Sequence, residues 1–162
     1  MAIRQARDDD GPTLQLIDVA TWSEDVTPAP TPQVDDEFFS GDTRPEDVLV
    51  AEAGDEVVGY VLVAPRYRGL TAGEHVQELK ALAVLPPSQG QGIGRRLVMA
   101  AVDTTRNRGG RRLTLKVLGS NEVARRLYER CGFVVEGVAP GEFLLGGRYV
   151  DDVLLALDLT SV

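Results

Sequence analysis

Residues 75–110 constrain this chain more than any other stretch. The segment His75–Leu85 reads as a strand, apolar and β-branched enough to pair, and Pro86-Pro87 stop it. From Gly92 the period changes: Ile93, Leu97, Val98, Ala101 and Val102 recur at helical spacing until Gly109-Gly110. Between the two lies Gln89-Gly90-Gln91-Gly92-Ile93-Gly94, with glycine at every second position. Leu113–Leu118 is the next strand candidate. A strand, a tight turn, a helix and a strand form a crossover unit, and such a unit requires a sheet with helices on its faces.

The rest of the chain supplies that sheet. Residues 2–6 are a short strand candidate, and Asp10-Gly11-Pro12 open a helix carrying Leu14, Ile17 and Trp22 at helical spacing. A proline-punctuated connection, Thr27–Pro32, leads to a second expected helix over Val34–Ser40. Val48–Glu52 and Val57–Val63 form a hairpin about Ala53–Glu56. Asn121 caps a short helix that ends at Cys131-Gly132. Phe133–Val138 and Tyr149–Leu159 close the chain as strands joined by the glycine-rich loop Ala139–Gly147. The expected architecture is one α/β domain over residues 1–162, a mixed sheet of six to seven strands flanked by about four helices. At 162 residues the chain can bury a core without staples.

Glycines ahead of a helix have a physical use. The first helical amides have no partner within the helix, and the helix dipole adds positive charge there. Glycine lets backbone approach a phosphate closely. A dinucleotide fingerprint would need a third glycine where Arg95 stands, and a Walker loop would need Gly-Lys-Ser/Thr where the chain has Gly94-Arg95-Arg96. The spacing excludes both nucleotide-binding classes and leaves an anion site of another kind.

The stretch Glu78-Leu79-Lys80-Ala81-Leu82-Ala83-Val84-Leu85-Pro86 followed by Gln89–Gly94 resembles the central motif of the GNAT superfamily of N-acetyltransferases, Gln/Arg-x-x-Gly-x-Gly/Ala. A second match follows in order: Asn121-x-x-Ala124-x-x-Leu127-Tyr128-x-x-x-Gly132-Phe133. The resemblance implies a GNAT fold with acetyl-coenzyme A as co-substrate. Its pyrophosphate would lie on Gln89, Gly90, Gln91, Gly92, Ile93, Gly94 and Arg95. Its pantetheine arm would lie along the backbone of Leu82, Ala83 and Val84. Asn121, which an N-cap role also explains, would contact the cofactor. Tyr128 would give a proton to the leaving thiolate, and Glu78 would be the base or the substrate anchor. The implied activity is direct acetyl transfer to a primary amine of a small molecule or peptide. The alternative is a non-catalytic acyl-coenzyme A sensor of the same fold, which would need neither Tyr128 nor Glu78.

Strand alternation, unless a bulge intervenes, places Glu78, Lys80, Leu82 and Val84 on one face, with Lys80 as the cation nearest Glu78. The family also builds acceptor specificity from the connection Trp22–Val34 and the loop Ala139–Tyr149. These contain or adjoin Glu24, Asp25, Asp35, Asp36, Glu37, Glu142, Phe143, Arg148 and Tyr149, a set suited to a cationic amine. Asp151-Asp152 reads as a charge device on an edge strand.

Charge bounds the partners. The chain carries 17 basic and 25 acidic residues, a net charge of −8, which opposes general nucleic-acid binding. Residues 86–131 alone hold 10 basic against 3 acidic residues, around and after the glycine turn. One histidine, His75, and one cysteine, Cys131, make no metal cluster and no internal disulfide. That cysteine usage points to the cytoplasm. No apolar stretch is long enough to span a bilayer. Oligomeric state stays open, with a homodimer consistent with the family.

Overall fold

The computed structural model describes residues 1–160. Strand β1 (Ala2–Gln5) leads into helix α1 (Gly11–Thr21), whose Pro12 sits in the first turn, where its missing amide is not needed. Hairpin β2 (Val48–Ala53) and β3 (Glu56–Pro65) follow, then β4 (Val76–Val84), helix α2 (Ile93–Asn107), β5 (Arg112–Leu118), helix α3 (Glu122–Arg130), β6 (Val134–Leu145) and β7 (Arg148–Asp158).

All seven strands form one sheet in the order β1-β2-β3-β4-β5-β7-β6. Every neighbouring pair is antiparallel except β4 and β5. The crossover through α2 is what makes that one pair parallel.

The two faces carry separate cores. On one face α2 and α3 cover Val61, Val63, Leu79, Leu113, Leu115, Val153 and Leu155, with Leu97, Val98, Ala101 and Val102 from the predicted helical stripe. On the other, α1 packs Leu14 and Ile17 over Val48, Val50 and Tyr60.

Three expectations need correction. Val34–Ser40 is not a helix, so the sheet is flanked by three α-helices rather than about four. There the Asp36 carboxylate accepts from the Gln33 amide at 2.9 Å, local bonding that competes with helix formation. Phe38 and Phe39 lie half-buried over the α1 face, with Phe38 edge-on to Tyr60 at 5.1 Å. The loop Ala139–Gly147 is mostly strand: β6 runs on to Leu145 and only Gly146-Gly147 turn the chain. A register shift between Ala139 and Phe143 absorbs Pro140, Gly141 and Glu142, and the Gly141 amide donates to Asp151 Oδ1 at 2.9 Å. Glycine and proline there mark a bulge, not a loop. Finally, β7 is flanked by β5 and β6, so Asp151 and Asp152 do not lie on an edge strand.

Two irregularities in β4 matter most. Its pairing with β5 covers only Val76 to Arg112, Gln77 to Leu113 and Glu78 to Thr114. Beyond Glu78 both strands continue but separate, and the β5-facing backbone edge of Leu79–Val84 has no ladder partner. Against β3, Leu62 pairs with Ala81 while Val63 pairs with Leu79, leaving Lys80 as an extra residue. This bulge breaks the predicted alternation. Glu78, opposite Ala64, shares the α1 face with Ala81 and Ala83, whereas Leu82 and Val84 pack with Leu79 on the α2 face.

Candidate active site

The gap between β4 and β5 opens at the C-terminal ends of two parallel strands, where the chain turns into α2. Pro86–Ser88 form a single 3-10 turn, and the Gln89 side chain reaches back to donate to the Val84 carbonyl at 2.8 Å. That bond ties the loop to the end of the splayed strand. Gly90 and Gly92 have φ of 77° and 80°, and Gly92 is the N-cap of α2. A left-handed N-cap ends the extended chain abruptly and starts the helix within one residue.

The amides of Gly92, Ile93, Gly94 and Arg95 therefore open α2 without helical acceptors. No atom lies within 4 Å of a Cβ built on Gly90 or Gly92, so the space over the turn is open. Gly94 is different: its Cβ would sit 3.4 Å from the Leu127 side chain, so the start of α2 packs directly on α3. The turn is a cradle of free amides beside a separated strand edge. Its donors, its lack of side-chain bulk and the neighbouring Arg95 suit a pyrophosphate.

Helix α3 forms the opposite wall. The Asn121 side chain accepts from the Ala124 amide at 3.2 Å, which is the N-cap role its position suggested. Tyr128, seven residues on, is 7% exposed, and its ring meets Phe133 edge-on at 5.8 Å. Burial raises its hydroxyl far above the ordinary tyrosine range, and the neighbouring Cys131 adds to that. The hydroxyl therefore stays protonated at any pH where the protein would work. Burial also raises the Cys131 thiol, opposed by nearby Arg95. The contact of Gly94 with Leu127, the residue before Tyr128, brings the glycine turn against the helix that carries the tyrosine.

Glu78 is placed differently from the sequence expectation. Lys80 is exposed at the bulge, and the cation nearest the Glu78 carboxylate is Arg66, at 4.0 Å. Arg66 also stacks over the Tyr67 ring, 5.3 Å from its centroid. Glu78 ends the paired part of β4 and turns to the α1 face, away from α2 and α3.

That face holds a cleft of about 520 Å³ which no motif announced. Tyr60, Leu62 and Ala81 form its floor, Gln15 and Asp18 of α1 one wall, and Asp36, Glu37, Phe38, Ser40 and Thr43 of the connection the other. Of the residues expected on the acceptor side, Asp36 and Glu37 line it. Trp22 does not: its indole donates to the Ala29 carbonyl at 3.0 Å and pins the proline connection. The β6–β7 turn does approach this connection, since a Cβ on Gly146 would come within 2.9 Å of the Glu24 carboxylate. Arg148, Tyr149 and Asp151 line a separate groove with Arg125 and Ser120. Sequence reasoning missed Asp18 and Tyr60, which are hydrogen-bonded to each other. A carboxylate four residues after Leu14, next to the buried Ile17, was the available signal.

The comparisons with known proteins agree with this fold. The family model described as Acetyltransferase (GNAT) family matches residues 13–133. The L-amino acid N-acyltransferase MnaT of Escherichia coli is 30% identical over 112 residues, 69% of this chain and 64% of that protein. The crystal structure of smu.2055 from Streptococcus mutans superposes with a TM-score of 0.84 at 27% identity, covering 98% of this chain and 99% of that one. The structure of yncA from Salmonella typhimurium, solved with acetyl-CoA, gives a TM-score of 0.81 at 23% identity over 100% and 95% of the two chains. The chain spans between 20% and 64% of the lengths of the first curated relatives it matches.

Proposed function

Because the chain belongs to the GNAT family of acetyltransferases, we propose that residues 1–162 act as a single domain that moves an acetyl group from acetyl-CoA directly to a primary amine. The observation that carries the proposal is the parting of β4 from β5 beside the glycine turn, with the buried Tyr128 on the facing helix.

Gln89 to Arg95 would hold the pyrophosphate, chiefly through the free amides from Gly90 onward, and the β5-facing backbone edge of Leu82, Ala83 and Val84 would hold the pantetheine arm. Asn121 would contact the cofactor with whatever its capping bond leaves free. When bound, acetyl-CoA supplies an acetyl group activated as a thioester. The amine nitrogen must lose a proton as its bond to the acetyl carbon forms, and the sulfur must gain one as the carbon–sulfur bond breaks. Glu78, on the α1 face where the cleft lies, would take the first proton or anchor the ammonium form before it is lost. Tyr128, on the α2–α3 face, would give the second. A protonated hydroxyl in a dry position is suited to stabilise a departing thiolate.

None of the helices among the described residues is long and apolar enough to cross a membrane. With one cysteine in the sequence, the cytoplasm remains the compartment we infer.

Isothermal titration with acetyl-CoA tests the donor, and release of thiol in the presence of an amine panel tests the transfer. Tyr128→Phe keeps the ring against Phe133 and removes only the hydroxyl. We expect about a hundredfold loss of kcat with little change in acetyl-CoA affinity. An unchanged kcat across the pH range would remove Tyr128 from the mechanism.

A further inference from the structure

The cleft on the α1 face is a built site that the motifs do not describe. Its floor is continuous with Glu78. On that face Tyr60 stands opposite Ala83, Leu62 opposite Ala81 and Ala64 opposite Glu78, in successive rows of the β3–β4 pair. Tyr60 and Glu78 thus mark two ends of one strip, separated by about four residues of strand, on the order of 13 Å along the sheet. A bound amine near Glu78 would lie with its tail towards Tyr60 and Asp18.

The polar groups at that end are acceptors. Tyr60 is 3% exposed and spends its hydroxyl proton on Asp18 Oδ1, leaving Asp18 Oδ2 for the cleft. Gln15 is 5% exposed; its amide nitrogen donates to the Gln33 carbonyl at 2.8 Å, and its Oε1 remains able to accept from a ligand. Asp36 and Glu37 add two carboxylates on the opposite wall. No lysine, arginine or histidine lines the cleft, and among the described residues Asp18 has no salt bridge. Burial accordingly raises the Asp18 carboxyl, opposed only by the Tyr60 bond. A half-buried carboxylate with no cation beside it, facing an open volume, lacks one particular partner.

We infer that the acceptor is a dicationic amine, with its reacting nitrogen beside Glu78 and a second ammonium or guanidinium group held by Asp18, Gln15, Asp36 and Glu37. This rests on the acetyl transfer proposed above and names the class of its acceptor. The same wall disfavours an acceptor with a carboxylate at its far end, which would meet three carboxylates and no base. Phe38, edge-on to Tyr60, gives the chain between the two nitrogens an apolar wall.

Three eight-carbon probes with one end in common decide the matter: diaminooctane, octylamine and aminooctanoic acid. With acetyl-CoA saturating, diaminooctane should show kcat/KM about tenfold above octylamine, chiefly through KM, and aminooctanoic acid should fall below both. Asp18→Asn preserves shape and the bond from Tyr60, and a thermal melt confirms its fold. It should reduce kcat/KM for diaminooctane about fivefold more than for octylamine. Calorimetric titration of diaminooctane into the protein with coenzyme A present reads the cleft without turnover. Binding that Asp18→Asn weakens supports the inference even if no probe is acetylated, in which case the proposed transfer fails alone. Equal or better use of aminooctanoic acid, or no diaminooctane binding by calorimetry, overturns the dicationic acceptor. So does an equal loss for both amines in Asp18→Asn.

Discussion

Gly92 and Gly94 lie two residues apart in one turn, yet the structure gives them opposite duties, and alanine substitution separates the two. Gly92 has φ of 80° at the N-cap of α2, with nothing within 4 Å of its Cβ position. An alanine there meets no clash but must hold a left-handed conformation, at a cost of about 1–2 kcal/mol. For a chain of this size that lowers the thermal midpoint by about 2–8 °C. Gly94 is inside the helix with ordinary φ, and its Cβ would only touch the end of Leu127 at 3.4 Å. Alanine there should be neutral or should stabilise by about 0.4–1 kcal/mol, because it restricts the unfolded chain. If the open amides hold a pyrophosphate, however, both variants lose affinity for acetyl-CoA. Each charge-assisted bond put out of reach costs about 1.5–3 kcal/mol, so Kd should rise at least about tenfold. Differential scanning fluorimetry and isothermal titration measure the two quantities on the same samples. A Gly92→Ala protein with an unchanged midpoint would refute the strain argument. A Gly94→Ala protein of normal stability and unchanged Kd would remove this turn as the phosphate site.

Two further predictions concern stability. Phe133 is 2% exposed and braces Tyr128, so Phe133→Ala should cost about 3–5 kcal/mol in urea unfolding, and a loss under about 1 kcal/mol would contradict the packing. Arg4 donates to both oxygens of Asp10, at 2.8 and 2.9 Å, and that bond holds the Asp10 carboxyl below the usual aspartate range. A depressed carboxylate stabilises the fold above its unfolded pKa, about 3.9, and loses that contribution as pH falls through the folded value. Arg4→Met should therefore cost about 1–3 kcal/mol at pH 7, and the gap from wild type should narrow below about pH 4. A gap that stays constant on acidification would show that Arg4 acts through packing alone.

The sequence was most legible where one residue pattern had one structural outcome. The stripe Ile93, Leu97, Val98, Ala101 and Val102 is buried as read, and Asn121 caps its helix. The strand before the glycine turn also lies where the spacing put it. It was least legible where long-range pairing overrode local chemistry. Gly141 and Pro140 read as loop, but pairing with β7 carries β6 past them. Val34–Ser40 had helical composition, yet Phe38 and Phe39 were needed over Tyr60, and the chain bends to deliver them. Lys80 was the most consequential miss. A bulge in β4 is set by its neighbour β3 and leaves no mark in β4 itself, so both the face and the cationic partner of Glu78 were misassigned. The Asp18–Tyr60 pair was invisible for a related reason. Its members are 42 residues apart, and only the packing of α1 on β3 joins them.

That single extra residue at Lys80 has a further consequence. Pleating gives a strand two sides and assigns residues to them by parity, so a regular β4 would present Glu78 to the same side as Leu82 and Val84. The inserted residue changes the parity midway. One strand thereby serves as a partition with a doorway: upstream of Lys80 it shows its acid to the compartment under α1, and downstream it shows its aliphatic side chains to the compartment under α2 and α3. Giving Lys80 a partner, by one residue inserted between Leu62 and Val63 of β3, would restore the alternation and leave every residue of β4 and every strand of the sheet in place. It would turn Glu78 through the wall, into the compartment of Tyr128 and away from the cleft.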